Sequence, residues 1–126
     1  MAQYENYKVV SLLAGGPMTS NTFVESDSSG EFQVTRANAD TDRPLGVALK
    51  DGATTADNPV PVAIAGIVPI VAGAAVSIGD QVAPDADGKA RTAASGDSMC
   101  GLALTAASGA DELISVLLGY QGQALE

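Results

Sequence analysis

The side chains of this chain that could do chemistry are mainly carboxylates. Asp80, Asp85 and Asp87 form the nearest cluster of them, and neighbouring carboxylates can split their pKa values to act as acid and base. The chain contains no His, which removes the commonest general base and the commonest metal ligand. With no nucleophile–base pair in the sequence, we predict that the chain is not an enzyme and that these residues form turns.

Two short acidic patterns invite a metal-binding interpretation. Asp40 and Asp42 are two residues apart, and Asp85–Gly88 has the order Asp-x-Asp-Gly. A helix–loop–helix calcium loop would also need an oxygen ligand at Ala83 and a Glu at Ala94. Asp-Gly between short strands signals a hairpin turn, and closely spaced Asp is typical of turns. We therefore expect no metal and no cofactor.

The bulk composition limits the class of protein. The 126 residues suit one domain. The chain has 14 Gly, 6 Pro, 4% aromatic residues and no Trp, so we expect many turns, few helices and a core with few large side chains. A core with few large side chains gains stability when the chain assembles with further copies of itself. The net charge of −9 disfavours binding to nucleic acid. Cys100 is the only cysteine, which excludes an intrachain disulfide and a Cys-based metal site.

Short strands must hold these turns in place. A loop at 26–30 separates two runs that predict a hairpin, with Phe23 and Phe32 flanking the turn as the largest side chains of its core. A single helical turn near Ala110 is an alternative to loop structure there. Residues 91–98 are expected to form a polar connection. The predicted strands are Tyr7–Ala14, Thr22–Glu25, Glu31–Thr35, Pro44–Lys50, Cys100–Leu104 and Glu112–Leu118.

The stretch from Pro59 to Val82 organises the chain, and it is uncharged from Asn58 to Gly79. Its length fits a membrane-spanning helix, but its prolines and glycines break helices and its apolar residues alternate as in strands. We predict two or three buried strands, broken at Gly66 and Gly73, and no membrane span. The first part should pair with Pro44–Lys50. The missing charge predicts burial on both faces, in the core and against neighbouring copies.

A strand–loop–strand unit occurs twice. Leu45–Leu49 matches Cys100–Leu104 in the order Gly-apolar-Ala-Leu, and a loop then leads to an apolar strand ending in Gly, at 60–66 and 114–119. Two such units can close a small barrel or sandwich, and the Gly at the second position lets another backbone approach or allows a bulge. We therefore predict a mainly β, single-domain barrel or sandwich with an internal repeat and a flexible N-terminal arm.

Three segments are expected along the chain. Residues 1–20 form an N-terminal arm with the first strand, 21–119 the β-rich core and 120–126 a C-terminal tail. Tyr4 and Tyr7 in the arm are candidate partner contacts, because Tyr is enriched in interfaces; the alternative is that Tyr7 simply begins the first strand. No secretory signal is visible, so we expect synthesis in the cytoplasm.

The order PLGVAL, VPVAIAGIVPI, AGAAVSIGDQVAPDADGKA and CGLALTAASGADELISVLL resembles the small capsid cement, or head decoration, proteins of tailed bacteriophages. The likeness covers roughly Pro44 to Gly119 and centres on Ala72–Val82. The sequence departs from the family at Ala83, where comparable proteins often carry an aromatic residue. This difference affects the packing expected around Ala83 more than the resemblance itself.

The resemblance implies a structural virion protein on the outer capsid surface, made in the host cytoplasm. It would bind the phage major capsid protein and itself, as a trimer or dimer with the trimer favoured, and would reinforce the shell. A terminal arm would lie along the capsid or swap between copies, so Tyr4 and Tyr7 are the candidate capsid or subunit contacts. No catalysis, cofactor, nucleic acid or membrane is implied. A different phage structural protein or a carbohydrate-binding β-module is the alternative.

Overall fold

A computed structural model describes residues 7–15, 19–27, 30–38, 44–49, 58–94 and 98–124 of the chain. These residues form strands and turns, with no helix among them. None of the described segments is therefore a helix long and apolar enough to cross a membrane. The strands are β1 (Tyr7–Ala14), β2 (Thr22–Ser26), β3 (Gln33–Arg36), β4 (Pro44–Ala48), β5 (Asn58–Val71), β6 (Gln81–Pro84), β7 (Ala90–Thr92), β8 (Ser98–Ala103) and β9 (Leu113–Ala124).

The first five strands close into a barrel. β1 pairs in parallel with β3, whereas the pairs β3–β2, β2–β4 and β4–β5 are antiparallel, and β5 returns to pair antiparallel with β1. Closure removes the free edges of these strands. The barrel interior is packed with small apolar side chains, which are Ala14, Val24, Val34, Ala48, Val60 and Val62.

The remaining four strands extend from β5 in the order β9, β8, β6, β7, and we call them the wing. A second core lies between the barrel wall and the wing. Phe23, Val47 and Ala63 contribute to it from the barrel, and Val116 and Val82 contribute from the wing. The mainly β class is thus confirmed, as a closed barrel that is extended by further strands.

The predicted break at Gly66 is wrong, because β5 is one strand from Asn58 to Val71. Gly66 has a φ of 101°, a conformation that favours glycine. β1 pairs with β5 as far as Gly66, and β9 pairs with β5 from Gly66 onward. The glycine therefore lies where one strand passes from the barrel into the wing. The predicted pairing of the first part of β5 with β4 is confirmed.

The predicted strand–loop–strand repeat is confirmed in its pairing. Ala48 faces Val62 in the first unit, and Ala103 faces Val116 in the second. A Cβ added at Gly46 would overlap the backbone carbonyl of Ala63. In the second unit the equivalent overlap is between a Cβ at Gly101 and the carbonyl of Leu117. The two units therefore share a similar pairing and one close backbone approach.

The hairpin of β2 and β3 is confirmed, but only one of its phenylalanines is in the core. Phe23 is fully buried, whereas Phe32 is 78% exposed and has a φ of 58°. The turn before β3 holds Phe32 in the left-handed region, and its side chain stands in solvent.

Two predicted element boundaries in the wing are wrong. The expected polar connection from 91 to 98 begins inside β7, which pairs with β6 across the Asp85–Gly88 turn. β9 continues to Ala124, where its far end pairs with β8, instead of ending near Gly119. A polar strand end carries no alternating apolar signal, so its sequence looks like a tail. Near Ala110 the chain forms a turn and no helix.

Candidate interaction surfaces

Asp80 and Asp85, two of the three acidic residues that could do chemistry, accept hydrogen bonds in turns. The Asp85 carboxylate accepts hydrogen bonds from the backbone N–H groups of Asp87 (2.8 Å) and Lys89 (2.9 Å). The Asp80 carboxylate accepts from the Ser77 N–H (2.9 Å) and the Thr92 hydroxyl (3.0 Å). These bonds stabilise two separate turns, as the sequence predicted for these residues.

No group of three or more His, Cys, Asp or Glu side chains within the described residues could hold a metal ion. Asp40 and Asp42 lie outside those residues. Cys100 lies in β8, but its side chain is outside the described part of the molecule. The described side chains thus present no candidate for a metal site.

Charge on the wing is concentrated at the turns. The Lys89 ammonium donates to the Asp111 carboxylate at 2.7 Å, and this hydrogen bond and the Asp111 charge raise the pKa of Lys89. The Glu112 carboxylate accepts from the hydroxyl and the N–H of Ser108, which lowers the pKa of Glu112. Asp111 is 70% exposed, so water screens the ion pair and it contributes little to stability.

The barrel opens into an apolar cavity of about 310 Å³, which we call the mouth cavity. Its wall includes Val10 and Leu12 of β1 and Ile64 of β5. Phe32 stands at its rim. An exposed aromatic ring beside an apolar cavity is a feature of surfaces that receive a partner.

A second apolar surface covers the side of β5, β9 and β8 that faces away from the core. Alternation along each strand sends Val68, Ile70 and Val116 into the core and their neighbours outward. Leu113 is 52% exposed and Leu104 is 37% exposed. The other outward apolar side chains are half-buried. We call this surface the outer face, and it consists of Ile67, Val71, Leu102, Leu104, Leu113 and Leu117.

The middle of the outer face contains a buried hydroxyl. Ser115 is 3% exposed and lies opposite Pro69 in the sheet, between Leu113 and Leu117 along β9. Its Oγ has no hydrogen-bond partner among the described residues. Its backbone N–H, by contrast, donates to the Thr105 hydroxyl at 2.9 Å. The outer face therefore exposes no hydroxyl group at this position.

A family model described as phage cement protein matches residues 5–118 of the chain. The chain belongs to the phage cement protein family. It is thus a structural protein of the phage capsid, which confirms the resemblance seen in the sequence. A comparison with curated proteins finds no match.

The crystal structure of the head fiber gp8.5 N base in bacteriophage phi29 is similar to this cement-family chain in fold. The TM-score is 0.74 at 20% sequence identity, and the match covers 94% of this chain and 99% of that one. At this identity the likeness shows the fold alone, and it agrees with the predicted mainly β class.

The two tyrosines predicted to make contacts in this cement protein are only partly placed. Tyr4 lies outside the described residues. Tyr7 begins β1, where its backbone pairs with Gly66, and its side chain is not described. Their role as contacts stays a prediction.

The sequence did not predict the mouth cavity of the cement protein, and it predicted the outer face only as burial of the uncharged stretch against neighbouring copies. The sequence did contain an indication of the outer face, because the uncharged stretch through β5 predicted burial on both faces of the strand. One of those faces packs in the core, and the other is the half-exposed outer face. The mouth cavity had no such signal, since it depends on which strands close the barrel.

Proposed function

We propose that this protein binds the outer surface of the assembled phage shell as a homo-oligomer and reinforces it. The observation that carries the proposal is the match to the phage cement protein family over residues 5–118. A protein bound across neighbouring capsid subunits stabilises the shell by mass action, because it binds the assembled lattice and not the separated subunits. No catalytic step and no cofactor are part of this function.

The charge of the chain supports a position on the outside of the shell. The net charge of −9 repels nucleic acid phosphates, so free copies avoid the packaged or host nucleic acid. Synthesis in the host cytoplasm and addition to a preformed head agree with this charge. We propose no membrane partner.

The barrel side of the molecule supports contact with the capsid protein best. Phe32 stands at the rim of the mouth cavity, and β1 brings Val10 and Leu12 to its wall. The arm that contains Tyr4 leads into β1 at Tyr7. We therefore propose Phe32 as a capsid contact and Tyr4 and Tyr7 as capsid or subunit contacts, with residues 1–20 serving as arm and first strand.

A trimer is the favoured assembly. Threefold junctions between capsid subunits offer three equivalent binding places around one axis, and a trimer fills them with a symmetric set of contacts. Simultaneous engagement of several copies also raises avidity without requiring a strong single contact.

Heating of heads tests the reinforcing role. Heads of the parent phage that lack this protein should release their DNA at a lower temperature than the same heads after saturation with purified protein. The Tyr4→Ala and Phe32→Ser variants should restore less of the difference at equal concentration, because each removes one proposed capsid contact. An unchanged release temperature after saturation with the wild type would contradict the reinforcing role.

A further inference from the structure

The outer face is free of charged side chains. The segments that form it, 66–71, 101–104 and 113–118, contain no Asp, Glu, Lys or Arg, although the chain as a whole has a net charge of −9. Acidic side chains of the wing lie instead at its turns, at Asp80, Asp85, Asp111 and Glu112. The outer face is therefore an uncharged apolar surface on an acidic molecule.

This distribution of charge decides between two kinds of partner. A partner with basic groups gains most by meeting the acidic parts of the surface, away from the outer face. A second copy of this chain carries the same net charge of −9, so it is repelled wherever acidic groups meet. Two copies meet with the least repulsion through a surface that is free of acidic groups and that buries apolar area.

The composition of the outer face suits a contact between copies. Leu104 and Leu113 are the most exposed of its side chains; Leu104 directly follows β8, and Leu113 begins the neighbouring strand β9. The Leu104 N–H donates to the Ser115 carbonyl at 2.8 Å, which holds the end of β8 against β9. The Ser115 side chain is buried there and offers no exposed polar group to a partner. Contiguous exposed apolar side chains of this kind mark interaction sites.

We propose that the outer face is the surface through which one copy of this protein binds a second copy. The assignment rests on the proposed function for its oligomeric state, and it adds which face joins the copies. It leaves the barrel side, with Phe32, directed at the capsid protein.

Two variants place a charge within the proposed contact. Leu113→Glu and Leu104→Glu alter partly exposed side chains, so each should keep the β-sheet circular dichroism spectrum of the wild type. Each should weaken self-association by about 30-fold or more, measured by sedimentation equilibrium over a dilution series. If Leu113→Glu fails to fold, Leu104→Glu decides the result.

Phe32→Glu is the matched control, because it adds the same charge at a side chain that is 78% exposed on the barrel. It should associate as the wild type does. A monomeric wild type, wild-type association by both outer-face variants, or equal dissociation of all three variants would overturn the assignment. A wild type that associates through the outer face but binds no phage head supports the assignment and contradicts the proposed function.

Discussion

Asp85 shows how the acidic residues of this chain serve its structure. Its carboxylate accepts two backbone N–H groups within its own turn, and its carbonyl accepts a third from Gly88 at 3.0 Å. A short acidic side chain can do this because it reaches the backbone two to four residues ahead. The residue types that suggested chemistry therefore hold the β6–β7 hairpin in place.

Glu112 makes a pH-dependent contribution to stability. Its pKa is lowered from the usual 4.5 by the hydrogen bonds from Ser108, so the folded state binds a proton less readily than the unfolded state. The contribution is present above pH 4.5 and is lost as the pH falls through the lowered value. The difference in unfolding midpoint between the wild type and Glu112→Gln should shrink on acidification, as measured by urea denaturation at a series of pH values.

Glu31→Gln is the control for this experiment, since it removes one negative charge from an exposed position in the turn before β3. A stability difference between the wild type and Glu112→Gln that stays constant down to acidic pH would contradict the role of the Ser108 hydrogen bonds.

Single residues were predictable where local chemistry decides their position. The Asp-Gly turn follows from the backbone preferences of its residues, and Phe23 follows from its place in a strand-forming run. Phe32 was not predictable in this way. It lies within a predicted strand, Glu31–Thr35, but its φ of 58° belongs to a turn that leaves its side chain exposed.

The repeated strand–loop–strand unit is organised by its glycines. Gly46 and Gly101 lie at matching positions of the two units, in β4 and β8, and each lets the partner strand approach more closely than any side chain would allow. The sequence predicted either this approach or a bulge, because glycine weakens the interior of a strand and often marks one or the other.

Replacement of either glycine by Ala should destabilise the fold. The added methyl group overlaps a backbone carbonyl, which cannot rotate away as a side chain would, so the expected loss is about 1–3 kcal/mol or more. Gly109→Ala is the matched control, because a Cβ there meets nothing within 4 Å. Chemical denaturation measures all three, and equal stability of Gly46→Ala, Gly101→Ala and Gly109→Ala would show that the close approach is not required.

The course of β5 shows where prediction at the level of elements failed. A glycine in a strand predicts a weak point, so the sequence suggested a break at Gly66. The strand continues because β1 and β9 pair with it on either side of this residue. These partners come from opposite ends of the chain, and no residue near Gly66 in the sequence indicates them.

At the scale of the whole molecule, the mainly β class was predictable and the topology was not. Alternating apolar residues and frequent turn signals indicated short strands. The parallel pairing of β1 with β3 and the closure of β1 onto β5 are non-local, and they create the mouth cavity. The outer face likewise depends on which strands become neighbours.

Saturable binding to the assembled shell tests the proposed function most directly. Purified protein is mixed with mature, expanded heads of its own phage that lack it, and the bound fraction is measured after co-sedimentation. Binding should saturate at a fixed number of copies per head, and isolated capsid subunits should bind none. Heads that sediment without the protein at every concentration would contradict the proposed function.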